Sequence, residues 1–255
     1  MRYDMPAVFG PTLLPDVTRF GRVDLVSVSY TTARDAAAAL VPRHFVVPDD
    51  PVVTVSRVTY ADVDYLAGRG YNELTVGIGV HHPGGAQPTT GSYMPVLWVD
   101  DPAAIIAGRE FMGYAKVGGT LPPVTEGPGT RSFEVGEYGT TLLRGAVHDL
   151  RPLSSEQLAG VRRAVCPMTV LGWKYIAGPG GTVDADYATR IVVGFDLTEA
   201  STGQGGITWE LPDRQAAPLS WRTVAALAAL PVVAPRRALV GSGSGYIDRG
   251  ATLRL

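Results

Sequence analysis

Two lysines, Lys116 and Lys174, stand among 22 basic residues; every other one is arginine. Lys116 lies in "GREFMGYAKVGGTLPP", flanked by Phe111, Met112, Tyr114, Ala115, Val117 and Leu121. A neutral lysine amine attacks a ketone or aldehyde to give an imine, and the protonated imine draws electrons from the adjacent carbon. It thereby stabilises the carbanion left by loss of CO2, a proton or an aldehyde fragment. Arginine keeps its proton in proteins and forms no imine. An unperturbed lysine titrates near 10.4, and apolar surroundings disfavour an ammonium. A second reading of the same residues is a lysine at a strand edge or turn, its apolar stem packed and its head in water.

Other reactive side chains form no pattern. His81 and His82 are adjacent and would point to opposite faces of a strand, while His44 and His148 fall at no ligand spacing, so no metal site is predicted. Cys166, the only cysteine, excludes an intrachain disulfide and reads as a small buried hydrophobe. "GSGSG" at 241–245 satisfies neither the dinucleotide fingerprint nor the phosphate loop, and no G-x-S-x-G elbow is present.

The elements that must position Lys116 are mostly strands. Segments rich in Val, Ile, Tyr and Thr, bounded by Gly, Pro and Asp, run over 22–30, 52–65, 71–81, 93–99, 131–138, 141–150, 169–176 and 190–197. Along 71–78, alternation puts Tyr71, Glu73, Thr75 and Gly77 on one face and Asn72, Leu74, Val76 and Ile78 on the other. Glu73 alone could be an ordinary solvated glutamate. Helices are predicted over 32–40, over about 101–110 with Pro102 in the first turn, from a Ser154–Gln157 capping box to Pro167, and from Ser220 to Pro231. The stretches 178–186 and 241–245 read as loops. Many strands with few helices predict a mainly β (α+β) fold, a curved antiparallel sheet forming a barrel-like core with peripheral helices, in one domain over 1–255.

The chain has 255 residues, 45% hydrophobic and 18% charged, with net charge −2. That predicts a globular protein, with no basic surplus for nucleic acid and no basic cluster for a membrane surface. The stretch "MRYDMPAVFGPTLLPDV" lacks the apolar core of a signal peptide, and no run reaches the length of a spanning helix. The expectation is a cytoplasmic protein.

The stretch "SYMPVLWVDDPAAIIAGREFMGYAKVGGTLP" resembles the acetoacetate decarboxylase family, whose signature is a hydrophobic strand, an acidic-Pro helical start and G-R-E-x-x-G-[FY]-P-K. Gly108, Arg109, Glu110, Gly113, Tyr114 and Lys116 occupy the matching places. "GRGYNELTVGIGV" resembles the segment that carries the family's active-site glutamate, here Glu73; "PMTVLGWKYIAGPGG" and "LPVVAPRRALVGSGSGYIDRG" resemble later strands more loosely. The resemblance implies that Lys116 forms the Schiff base and Glu73 assists as acid or base. It also implies a small keto acid substrate, no cofactor beyond the lysine itself, and a homo-oligomer. Tyr93, Met112, Tyr114 and Tyr246 are the candidates for contacting substrate. Arg109 and Glu110 are read as structural support for the lysine loop, and Lys174 as structural.

Four positions depart from the family pattern. Ala115 replaces its proline, and Val117 stands where many relatives carry a second lysine. The place of an arginine that could hold a carboxylate falls near Thr31, with Arg34 close in sequence, and a second acidic position falls near Val58, beside Arg57. Three functions follow: decarboxylation of a β-keto acid, an aldolase-dehydratase or cyclase acting on an α-keto acid through the same imine, or a non-catalytic small-molecule binding domain.

Overall fold

The computed structural model describes residues 14–84 and 88–255. Most of the amino-terminal stretch read above against a leader lies outside them. No described helix is long and apolar enough to cross a membrane.

The strands are β1 (Val17–Thr31), β2 (Val52–Val63), β3 (Tyr71–His82), β4 (Thr89–Val99), β5 (Lys116–Gly118), β6 (Thr125–Gly127), β7 (Thr130–Glu137), β8 (Thr140–Pro152), β9 (Met168–Ala177), β10 (Val183–Trp209), β11 (Ala234–Pro235) and β12 (Ala238–Arg254). Four helices, α1 (Arg34–Ala38), α2 (Pro102–Ala107), α3 (Ser155–Val165) and α4 (Trp221–Ala228), lie between them. The pairing order β1-β2-β3-β4-β9-β10-β12 returns to β1, so seven strands close a ring. The far half of β10 leaves the ring and continues into β8, β7 and β6. This is the mainly β, curved sheet that the segment pattern predicts. It differs in being mixed: β4 pairs in parallel with both β5 and β9.

The ring strands are buried on both faces, for different reasons. The outward residues of β1 to β3, among them Val26, Val28, Val53, Val55, Leu74, Val76 and Ile78, pack in one core with Leu142, Leu143, Val147 and Phe133 of the β7–β8 arm and Val224 and Leu227 of α4. The inward residues belong to a second core with Val170, Val193, Leu197 and Ile247. Trp98 of β4, fully buried, donates its indole N–H to Ser220 Oγ at 2.9 Å.

Several element boundaries differ from the expectation. The capping box at Ser154 and Gln157 forms as predicted, with both hydrogen bonds in place. Ser220 does not cap α4, because its hydroxyl is engaged by Trp98. The 32–40 helix shortens to α1. The glycine-rich stretch 241–245 is strand rather than loop, inside β12; of 178–186, the glycine-bearing part to Thr182 is the expected loop, with one 3-10 turn, and Val183–Asp186 begins β10. A Cβ on Gly243 would sit 2.2 Å from the Asp196 carbonyl oxygen, and one on Gly245 would sit 3.0 Å from that of Gly194. The glycines are there because β12 is wedged closely between β1 and β10 at the barrel seam.

Gly243→Val drives a side chain into the β10 backbone. We expect a loss of ~1–3 kcal/mol, read as a drop in thermal midpoint of several degrees.

Candidate functional site

The segment that carries Lys116 starts at the end of β4. The Asp101 carboxylate accepts the Ala104 backbone N–H at 2.8 Å and caps α2, with Pro102 in the first turn where its missing N–H costs nothing. The helix then widens into one π turn, Gly108–Met112, and ends at Gly113 with φ +76°. The chain enters β5, where Lys116 pairs with Leu97. Two glycines permit this path. A Cβ on Gly108 would lie 2.7 Å from Cδ and 2.8 Å from Cε of Lys116, so the lysine stem runs through the space a side chain would fill. A Cβ on Gly113 would strike the Lys174 backbone.

The loop is tied down by side chains that donate to its backbone carbonyls. Arg109 donates to the Lys116 carbonyl oxygen at 2.9 Å, and the Lys174 ammonium donates to the Glu110 carbonyl oxygen. Thr189 Oγ1 donates to the Met112 carbonyl at 2.6 Å. Arg57, 1% exposed, donates to Asn72 Oδ1 and to the Pro122 carbonyl, and Asn72 in turn donates to Asp100. This brace joins β2, β3, the end of β4 and the segment after Lys116. Burial pushes the Arg57 guanidinium below its usual value, while Asp100 acts in the opposite direction.

Inside the ring, Lys116 Nζ lies 2.7 Å from Glu73 Oε2; the two side chains are 4% and 7% exposed. The Tyr71 and Tyr114 rings sit 5.6 and 5.8 Å from Nζ. Burial, then Glu73, raise the Tyr60 phenol well above the ordinary value. Tyr71 and Tyr114 are raised by the same two causes in the same order. All three phenols therefore stay neutral donors beside the carboxylate at physiological pH. The pair faces a cavity of about 330 Å³, within the usual range for small-molecule sites.

Of the residues singled out above, the structure brings Lys116, Glu73 and Tyr114 together on the cavity wall. Tyr93, Met112 and Tyr246 do not line it. Tyr93 turns outward and stacks on Phe45 at 5.5 Å, while its neighbours Ser92 and Met94 face the cavity. Met112 is sealed in the π turn, 2% exposed. Tyr246 lies over Gly194 on the outside of β12, and Ile247 takes the inward place. Thr31 is engaged with the Ala234 carbonyl at the strand end, and Arg34 bonds the Val47 carbonyl, so neither reaches the cavity. Val58 lines it, Arg57 faces away, and Val117 packs in the outer core.

Residues that the motifs do not reveal complete the wall. Ser27, Ser29, Thr54, Ser56, Thr75 and Ser92 line the cavity, with Arg237. Their signal was present in "LVSVSYT" and "VTVSRV", where small hydroxylated residues alternate with valines.

The acetoacetate decarboxylase family profile matches residues 4–253, so the chain belongs to that family. Acetoacetate decarboxylase 3 of Mesorhizobium japonicum is 31% identical over 115 residues, 45% of this chain and 41% of that protein's length. The fold is similar to a structure described as acetoacetate decarboxylase, with TM-score 0.78 and 17% identity over all of this chain and 95% of that one. It is also similar to the enduracididine biosynthesis enzyme MppR complexed with pyruvate, with TM-score 0.70 and 16% identity over all of this chain and 97% of that one. At these identities the structural likeness is one of fold.

Two outcomes follow from the site's construction. Gly108→Ala pushes on the Lys116 stem; we expect borohydride trapping at Lys116 to slow by about tenfold or more with a native circular-dichroism spectrum, since an ångström of misplacement costs a large factor in rate. The second concerns alkaline pH. Tyr30 and Tyr93 are pushed up to about 12 by burial. A phenol whose folded value is raised contributes stability that is complete below ~10 and is lost as pH rises through the folded value. The thermal midpoint should fall between pH 10 and 12, and the part of the tyrosinate absorbance that belongs to the buried phenols should appear only with unfolding.

Proposed function

We propose that the chain is a Schiff-base lyase that decarboxylates a small β-keto acid, with Lys116 as nucleophile and Glu73 as proton carrier. One observation carries the reading: a buried amine 2.7 Å from a buried carboxylate, facing a cavity of small-molecule size. A proton passed from Lys116 to Glu73 leaves a neutral amine and a neutral acid, with no change of net charge in the cavity. The amine adds to the keto carbon, and the carbonyl oxygen departs as water with the proton Glu73 supplies. The bond from the α carbon to the carboxylate then breaks; its electron pair moves toward the iminium nitrogen, CO2 leaves and an enamine remains. Glu73, reprotonated from water, delivers a proton to the α carbon and regenerates the iminium, and hydrolysis releases the ketone and the free amine. The imine is the electron sink, so these steps call for no further cofactor. The reading carries with it a homo-oligomer, as the family resemblance implies, and the cytoplasmic location expected from the sequence.

A second reading keeps the imine and directs the enamine of an α-keto acid onto an aldehyde. Two observations favour it: Val117 offers no second amine at the pair, and the fold is similar to a pyruvate-bound enzyme.

Incubation with borohydride and acetoacetate or, separately, pyruvate should add the reduced adduct's mass at Lys116, found by peptide mass spectrometry. CO2 release from acetoacetate distinguishes the first reading from the second. Lys116→Arg keeps a cation opposite Glu73 and should yield no adduct and no turnover. Glu73→Gln should lower kcat by about 10²–10⁴-fold. A fully active Lys116→Arg enzyme would end the Schiff-base proposal.

A further inference from the structure

The cavity wall is divided by chemistry. One side is apolar: Val165, Met168, Val170, Val193, Phe195 and Ile247. The other is a field of hydroxyls on adjacent strands. Ser27 and Ser56 are hydrogen-bonded at 2.8 Å, and Ser29 and Thr54 at 3.0 Å. Each hydroxyl has one O–H to donate, so a pair spends one and keeps one. Two pairs therefore hold two unspent donors within a wall that also faces the substrate space.

These pairs sit at increasing distance from the amine. Val58 is opposite Glu73, Ser56 is opposite Thr75, and Thr54 is opposite Gly77. From Val58 to Thr54 is four residues along β2, about 13 Å of strand. At Gly77 a Cβ would lie 2.4 Å from Ser92 Oγ, so the missing side chain keeps the far end of the cavity open beside another hydroxyl.

The far end also holds a cation. The Arg236 N–H donates to the Ser29 carbonyl at 2.9 Å, which brings Arg237 beside the Ser29–Thr54 pair. Arg237 is exposed yet lines the same cavity, on the side of the strand that carries Leu239. It makes no ion pair among the described residues; other exposed arginines, such as Arg69 and Arg222, share that, and what sets Arg237 apart is its place on the cavity wall. A guanidinium held without a counter-ion at the end of a donor-lined cavity suits a carboxylate, which takes two N–H donors side by side and has lone pairs left for a hydroxyl.

We propose that Arg237, with the Ser29–Thr54 hydroxyl pair, forms a distal anion subsite, and that the substrate is an elongated keto acid carrying a second carboxylate at the end of its chain. The keto carbon lies at Lys116, the chain follows the hydroxyl wall past Ser27 and Ser56, and the terminal carboxylate meets Arg237. The inference rests on the Schiff-base reading for the keto group alone; the anion subsite stands on its own geometry. It also accounts for a cavity longer than a short keto acid fills.

The test separates the two. Calorimetric titration of the intact protein with octanedioate, which has no keto group, should show binding that Arg237→Ala weakens at least tenfold, that Arg237→Lys weakens less, and that octanoate does not reproduce. With 3-oxooctanedioate and 3-oxooctanoate as substrates, the wild type should favour the dioate at least tenfold in kcat/KM. Arg237→Ala, and a Ser29→Ala/Thr54→Val double variant, should bring that ratio down toward unity. Octanedioate binding that is absent, or equal in wild type and Arg237→Ala, overturns the subsite. Failure of every keto compound to label Lys116, with Arg237-dependent binding of octanedioate intact, overturns the lyase reading and leaves the subsite.

Discussion

An ammonium and a carboxylate 2.7 Å apart, with almost no access to water, set the terms for everything around them. Neither ion could be left there alone: removing one partner of a buried pair typically costs ~3–5 kcal/mol, because the survivor is an unpaired charge in a poor solvent. The surroundings are arranged accordingly. The nearest polar groups, Tyr60, Tyr71 and Tyr114, are phenols kept neutral by burial and by Glu73 itself. They supply dipoles without adding a third charge. A proton can change hands within the pair without altering the net charge of the cavity, and that is an electrostatic move a buried pair makes cheaply.

Sealing the pair requires a closed ring, and a closed ring requires the polar wall to be held from behind. Strands β1, β2 and β3 carry serines, threonines and Glu73 inward, which contributes little to an apolar core. Their outward valines, Leu74 and Ile78 pack against the β7–β8 arm and α4 instead. The long excursion of β10 out of the ring is what brings that arm into position. Stability is thus drawn from the outer face, and the inner face is released to carry chemistry. Arg57 joins the two, for its buried guanidinium fastens the strand beside Glu73 to the segment after Lys116 from the far side of the wall.

Much of this was legible in the residues, and the misreadings have specific physical sources. Alternation along 71–78 correctly separates the face of Glu73 from that of Leu74, Val76 and Ile78, because the period of a strand is two whatever its surroundings. The same period explains two errors. Tyr93 and Tyr246 are aromatic candidates for contacting substrate that the structure places outside the cavity. Each is one residue from a true lining position, Met94 or Ser92 and Ile247, and on a strand one residue is the opposite side. The glycine-rich stretch at 241–245 looks like a loop because composition does not reveal close approach. Only the neighbouring Asp196 and Gly194 carbonyls explain why side chains are missing there. The hydroxyl wall was passed over for a related reason: alternating serine and valine normally marks a strand with one wet face, and here both faces are covered.

The rarity of lysine turns out to mark one structural unit rather than one residue. Lys116 threads its stem past Gly108, where an added methyl-sized group would already be too close. Lys174 packs its backbone against Gly113, five residues further along the same segment, and gives its ammonium to the Glu110 carbonyl. The place beside Gly108 admits a narrow, flexible stem ending in a compact head, and the planar guanidinium fork with its five fixed donors fits it poorly. Elsewhere in the chain, arginine serves at surfaces and in the Arg57 brace, where breadth and multiple donors are useful. So the second lysine is the clamp of the loop that presents the first. The composition that drew attention to Lys116 was reporting the geometry of the whole turn from Gly108 to Lys116.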